Sequence, residues 1–306
     1  MFHFNRISFF ILIILTFLKP LYGQQPYCDT LQNKEVELKS AFKQLFVSKN
    51  DSEKFLLNKS IENIFDHILT FQESFFYQFD SLKKIGIIYS PDLTFRIICW
   101  DIPLSNGLFR YMCYFQKIPD DHQCPEIYKL YDITTLDTSV NIQKIDIHHW
   151  YGALYYSVLA NRIQNQTVYT LFGLDMNNDL SNRKIIETMY FSESGSPVFG
   201  IPLLFNKKEY KSRLVLEYTK RANISLRFDE HLNMILFDHL APISPLQAGK
   251  YEFYGPDGTF DGFKFVDNKW LFISNVEIWP KAKSKSPESN KQTNNQNKVK
   301  QFNLIY

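Results

Sequence analysis

The chain has 306 residues, of which 45% are apolar and 16% aromatic, enough to fill a sizeable core in one large domain or two small ones. Its 34 basic and 32 acidic residues leave a formal charge of only +2, so charge implies neither a nucleic-acid partner nor an acidic substrate. Phe (28) and Tyr (18) outnumber Gly (11), a bias toward strands whose side chains pack on a pleated surface.

In residues 1–23, His3 and Arg6 precede an apolar run at 9–18, followed by Lys19-Pro20 and a cleavage-like Leu21-Tyr22-Gly23. That order predicts a secretory signal peptide. The run is about half of the roughly 20 residues a spanning helix needs, so no transmembrane segment is expected after cleavage. Cys28 does not sit at the cleavage point, which argues against a lipoprotein anchor.

Residues 24–80 read as a helical hairpin. Leu31, Leu38, Phe42 and Leu45, then Phe55, Leu56, Ile61, Ile64, Phe65, Ile68 and Leu69, recur at helical steps, and Asn50-Asp51-Ser52 with Glu53 breaks the run and can cap a second helix. From 81 to 279 the period becomes two. Runs at 85–89, 94–100, 109–115, 127–133, 142–149, 152–160, 167–174, 184–192, 211–218, 223–228, 232–237, 249–254, 259–266 and 269–275 predict about a dozen antiparallel strands separated by Gly, Asn, Asp and Pro turns. The expected fold is mainly β, an antiparallel β-sandwich or barrel-like meander with an N-terminal helical hairpin; a small β-propeller is the alternative. Residues 280–306 are Lys- and Asn-rich with almost nothing apolar, the composition of a disordered basic tail.

The stretch SPDLTFRIICWD at 90–101 resembles uncharacterised secreted proteins of Bacteroidetes-type bacteria. WYGALYY at 150–156, YTLFGLD at 169–175, FDHLAP at 237–242 and YGPDGTFDG at 254–262 carry the same resemblance, which covers roughly residues 81–275. It implies a periplasmic or cell-surface location and brings no activity or catalytic residues with it.

Asp238-His239 has the composition of a general-base pair, with Asp257 and Asp261 as further acids. Adjacent strand residues point to opposite faces, so Asp238 and His239 are not expected to partner each other. The expected roles are structural: Asp238 accepts N–H groups in the turn toward Pro242, His239 fills a polar gap, and the two Asp-Gly pairs punctuate the last hairpins. Asp146 and His148 share a strand face but lack a third metal ligand. Asp175, Asn177 and Asp179 place oxygens at alternate positions as Ca²⁺ loops do, yet Leu180 stands where the Gly of the sharp turn belongs. No other cofactor is expected. Gly-x-Ser-x-Gly, dinucleotide and P-loop fingerprints are all absent.

Cys99 and Cys113 lie on facing arms of one expected hairpin, and Cys28 could pair with Cys124; free thiols fit equally well. The sequons at Asn50, Asn58, Asn165 and Asn223 read as chance occurrences in an Asn-rich chain. The first functional expectation is a secreted or periplasmic, non-catalytic binding or envelope-associated module. An exposed aromatic patch at Trp150, Tyr155 and Tyr156 would then make envelope or glycan contact. The alternative is a secreted hydrolase of a glycan or peptide, which requires Asp238, His239, Asp257 and Asp261 to converge in a pocket.

Overall fold

The structure, a computed structural model, describes residues 25–118, 124–132 and 147–278, with side chains from residue 29. The expected signal peptide, the basic tail and most of the 142–149 strand lie outside these residues. Two helices come first, α1 (Gln25–Val47) and α2 (Asp51–Ile68). The break falls where expected, and the Asn50 side chain caps α2 by accepting the Glu53 N–H at 3.2 Å.

The strands then follow as β1 (Gly86–Tyr89), β2 (Phe95–Pro103), β3 (Phe109–Lys117), β4 (Glu126–Tyr131), β5 (Leu154–Ile163), β6 (Gln166–Asp175), β7 (Ser181–Phe191) and β8 (Pro197–Phe199). The remainder are β9 (Leu204–Phe205), β10 (Tyr210–Lys211), β11 (Arg213–Thr219), β12 (Leu226–Asp229), β13 (Met234–Pro242), β14 (Tyr254–Val266) and β15 (Lys269–Ile273). They form a four-stranded sheet β1-β2-β3-β4, a five-stranded sheet built on β11-β7-β6-β5 with β8 beside β7, and a six-stranded sheet β10-β9-β15-β14-β13-β12. All pairings between these strands are antiparallel except the short parallel contact of β15 with β9. Strand makes up 46% and helix 21% of the described residues, so the protein is mainly β, with one sheet curled into a half-barrel.

Side-chain alternation stacks these layers. On β2, Ile98, Trp100 and Ile102 turn toward Leu38, Phe42, Ile61 and Phe65 of the helices, while Phe95, Ile97 and Cys99 turn the other way. That second face meets Leu154, Tyr155, Leu171 and Ile185 of the five-stranded sheet. The five-stranded sheet in turn sends Val168, Phe172 and Ile186 against Ile235, Phe237, Phe263 and Trp270 of the six-stranded sheet. Burial on both faces explains why β2 reads as an almost unbroken apolar run. The helical hairpin is therefore a cover for the first sheet. It is fastened by the Trp100 indole N–H donating to Asn58 at 2.8 Å, with Asn58 itself buried.

Cys99 and Cys113 are directly opposite each other on β2 and β3, buried, with free thiol sulfurs 3.2 Å apart. Burial pushes the Cys113 thiol well above its ordinary pKa. Cys124 is free and exposed, and the side chain of Cys28 lies outside the described residues. One expectation about the last hairpins fails: residues 249–254 contain a short 3₁₀ turn, Tyr251–Phe253, and Asp257-Gly258 lies inside the 13-residue β14 instead of separating two strands.

Candidate functional site

The site begins with an irregularity in the β13–β14 ladder. Phe237 pairs with Asp261 and Asp238 with Phe260, but the next pair is Leu240 with Pro256. The single residue His239 therefore faces three residues, 257–259, in a β-bulge on β14. Gly258 supplies the required left-handed backbone at φ +90°, and the Asp257 carboxylate accepts the Thr259 N–H at 2.9 Å and its hydroxyl at 2.7 Å. The turn chemistry expected of Asp-Gly is present, but it shapes a bulge within a strand. The second Asp-Gly pair has a different cause: a Cβ on Gly262 would lie 2.5 Å from the Ile235 carbonyl oxygen and equally close to the Met234 methyl, so β13 and β14 approach there only because residue 262 has no side chain.

Residues directly opposite in a sheet share a face, so Asp261 leaves β14 on the face of Phe237, and His239, two residues on, returns to that face. The His239 Nδ1 lies 2.8 Å from Asp261 Oδ2, while its Nε2 is 3.9 Å from Asp257 Oδ2. Asp261 is buried, and its other oxygen accepts the Asn275 N–H at 3.1 Å. An ionised carboxylate only accepts, so His239 must donate from Nδ1, which fixes the neutral tautomer and leaves the Nε2 lone pair facing outward. The Asp261 hydrogen bond holds the imidazole above its ordinary pKa; partial burial opposes this, and the charges of Asp261 and Asp257 reinforce it. Asp257 is held below the usual carboxylate range, chiefly by its bonds from Thr259.

This pair stands at the mouth of a cleft of about 340 Å³ between the six-stranded sheet and β11. Phe237, Phe263 and Phe272, with Leu204 and Leu240, line it from the six-stranded sheet, and Leu214 and Leu216 from β11. The polar lining consists of Asn206, Lys211, Asp238, His239 and Asp261. A mainly apolar cleft with a few convergent polar groups has the composition of a small-molecule site.

Three of the four acid–base candidates, His239, Asp257 and Asp261, thus face one another. Asp238 also lines the cleft but bonds to none of them, and its expected turn role is corrected: it accepts the Ser225 N–H at 2.5 Å beside β12. Face alternation correctly separates Asp238 from His239, and the true partner stands across the ladder. Lys211 and Asn206 escaped notice because β9 and β10 are two residues each, too short for any periodic signal.

The aromatic patch is also corrected. Trp150 and Tyr155 are 0% and 1% exposed, because they belong to a buried chain in which the indole N–H donates to the Tyr155 hydroxyl at 2.8 Å and that hydroxyl donates to Glu187 at 2.5 Å. Tyr156 is partly buried, donates to the Leu226 carbonyl at 3.1 Å and lies beneath the Lys184 ammonium.

The oxygens of the Ca²⁺-like loop diverge. Asp175 is buried, accepting the Tyr111 hydroxyl and the Asn177 N–H at 2.9 and 2.7 Å, with Arg183 3.5 Å away. The Asn177 amide donates to Ser181 and Glu217, and Asp179 is exposed near Lys220. Among the described residues there is no group of three or more His, Cys, Asp or Glu suited to a metal ion. Asp146, the suggested partner of His148, lies outside them. No protein family, curated protein or solved structure matches this chain.

Proposed function

We propose that the chain is a secreted, non-catalytic binding module of the periplasm or cell surface, with its ligand seated in the cleft beside His239. The supporting observation is the cleft itself, whose apolar walls converge on one polar corner. The acceptors there are the Asp238 oxygen not bonded to Ser225 and the outward Nε2 of His239, with Asp257 Oδ2 just beyond. The ligand class that complements them is a small molecule with an apolar body and hydroxyl or amine donors, the terminal residue of a glycan included. Secretion rests on the charged, apolar and small-residue order of residues 1–23.

The test is NMR titration of the His239 ring with hexyl glucoside and with tryptamine. Saturable shifts are expected for at least one probe and are lost in Leu216→Trp, which fills the cleft. Silence toward both probes, or shifts that survive the filled cleft, would refute the reading.

A second reading, hydrolysis, is favoured by the 2.8 Å His239–Asp261 bond, the arrangement of an oriented general base. Its nucleophile would be water or a lining carboxylate, since the described residues lining the cleft include no Ser, Thr or Cys. Turnover of p-nitrophenyl acetate or a p-nitrophenyl glycoside that disappears in His239→Ala would establish this reading in place of simple binding.

A further inference from the structure

A second concavity lies at the opposite end of the layer stack, between the C-terminal half of α1 and the segment that leads into β1. Its floor is apolar: Phe42 and Phe46, with ring centroids 6.2 Å apart, together with Leu82 and Ile85. Its rim is basic on both sides. Lys39 and Lys43 stand one helical turn apart on α1, and Lys83 and Lys84 face them from the other bank. The Lys84 ammonium lies 4.5 Å from the centre of the Phe46 ring.

Among the described residues, none of these four lysines has a carboxylate within ion-pair distance. The nearest acids are engaged elsewhere. Glu35, which feels the Lys39 charge, has both oxygens taken, one by the Tyr77 hydroxyl at 2.5 Å and one by the Ser81 N–H at 2.6 Å. Asp101, which feels the Lys84 charge, is buried on β2. In a chain whose formal charge is only +2, four unpaired cations around one apolar floor are a local concentration of charge that an anion would complete.

The cavity volume is about 270 Å³. An apolar floor between two cationic banks complements an apolar chain that ends in an acid group. We infer that it binds a free, single-chain anionic amphiphile, with the chain on the Phe42–Phe46 floor and the acid group among Lys39, Lys43, Lys83 and Lys84. This site is independent of the His239 cleft. Long lysine stems can lie along the chain while their ammonium groups stay hydrated, so binding requires no rearrangement of the core.

The test is calorimetric titration of the full chain with dodecanoate below its micellar concentration. Dodecyltrimethylammonium serves as the control of equal chain length and opposite charge. One dodecanoate per chain is expected, weakened by about tenfold or more in Lys43→Glu/Lys83→Glu, and weakened as salt rises because the rim charges are exposed. Asp261→Asn in the other cleft should leave the affinity unchanged. Both lysines are exposed, and Lys43→Gln/Lys83→Gln, which adds no repulsion, should give a smaller loss in the same direction with an unaltered unfolding midpoint. Equal binding of the cationic amphiphile, undiminished binding by the lysine variants, or capture only by phosphatidylglycerol vesicles or an acidic peptide with none of free dodecanoate would overturn the inference.

Discussion

Glu187 and Arg213 face each other on β7 and β11, with side chains 1% and 2% exposed, and their charges meet in a direct hydrogen bond. Glu187 also accepts the Tyr155 hydroxyl, which is itself bonded by Trp150, so one carboxylate anchors a chain of three side chains in the core. Burial pulls the Arg213 pKa below its ordinary value, a sign that the guanidinium depends on its surroundings for its charge. Glu187→Gln keeps the shape but removes the countercharge and one of the two acceptor oxygens, since an amide nitrogen only donates. Breaking a buried pair from one side costs about 3–5 kcal/mol, a large part of the ~5–15 kcal/mol that holds a typical native state.

Urea unfolding followed by tryptophan fluorescence should show this as a midpoint lower by about 1–2 M at unchanged slope. Arg213→Met should be destabilising too, by the lost pair and by the lost contact with the Tyr151 ring 4.8 Å away. The double variant Glu187→Leu/Arg213→Met removes both charges and should recover most of the loss, since an apolar replacement of a buried pair is often neutral or better. A Glu187→Gln protein within about 1 kcal/mol of wild type, or a double variant as unstable as the sum of the singles, would refute the reasoning.

Two further predictions concern the bulge. The charged groups facing His239 are Asp257 and Asp261 on β14; Lys211, which also lines the cleft, is paired with Glu209, and Asp238 on its own strand is bound to Ser225. The His239 pKa by NMR should therefore lie above 6.5 and fall in Asp261→Asn; because the folded value is the raised one, the pair's stabilisation is complete below about pH 6.5 and is lost as pH rises through the folded value. Gly262→Ala forces a methyl into the Ile235 carbonyl and should cost about 1–3 kcal/mol in the same urea assay; a neutral result would mean that the two strands part freely there.

Much of the framework was legible in the chain. The helical steps of Leu31, Leu38, Phe42 and Leu45 set the face of α1, and Asn50 marks the helix break because a short side-chain acceptor does so wherever N–H groups are left over. The aromatic runs named the strands. They could not say which face of a doubly buried strand meets which neighbour, so Trp150 and Tyr155, read as an exposed patch, proved to be core. Local chemistry also cannot separate a turn between strands from a bulge within one. Asp257 and Thr259 make the same hydrogen bonds in either case, and the difference resides in the distant pairing of Leu240 with Pro256. For the same reason face alternation could exclude Asp238 as the partner of His239 but could not name the partner, which is 22 positions away.

The bulge explains why a polar site can sit at the edge of an apolar core without unsettling it. Three residues, 257–259, oppose one, His239, so β14 carries two extra residues. Two is even, and even insertions preserve the inward and outward alternation on either side. Ile235 and Phe237 therefore stay in the core up to the bulge, and ladder pairing resumes beyond it at Leu240 and Pro256. Only His239 is left without a direct partner on β14. Its freed position lets the ring turn to Asp261 on one side and toward Asp257 on the other, at the point where the cleft opens. The geometry at His239 is thus the local cost of a register change that the rest of the sheet does not feel, and this confines any ligand's effect on the ladder to the same few residues.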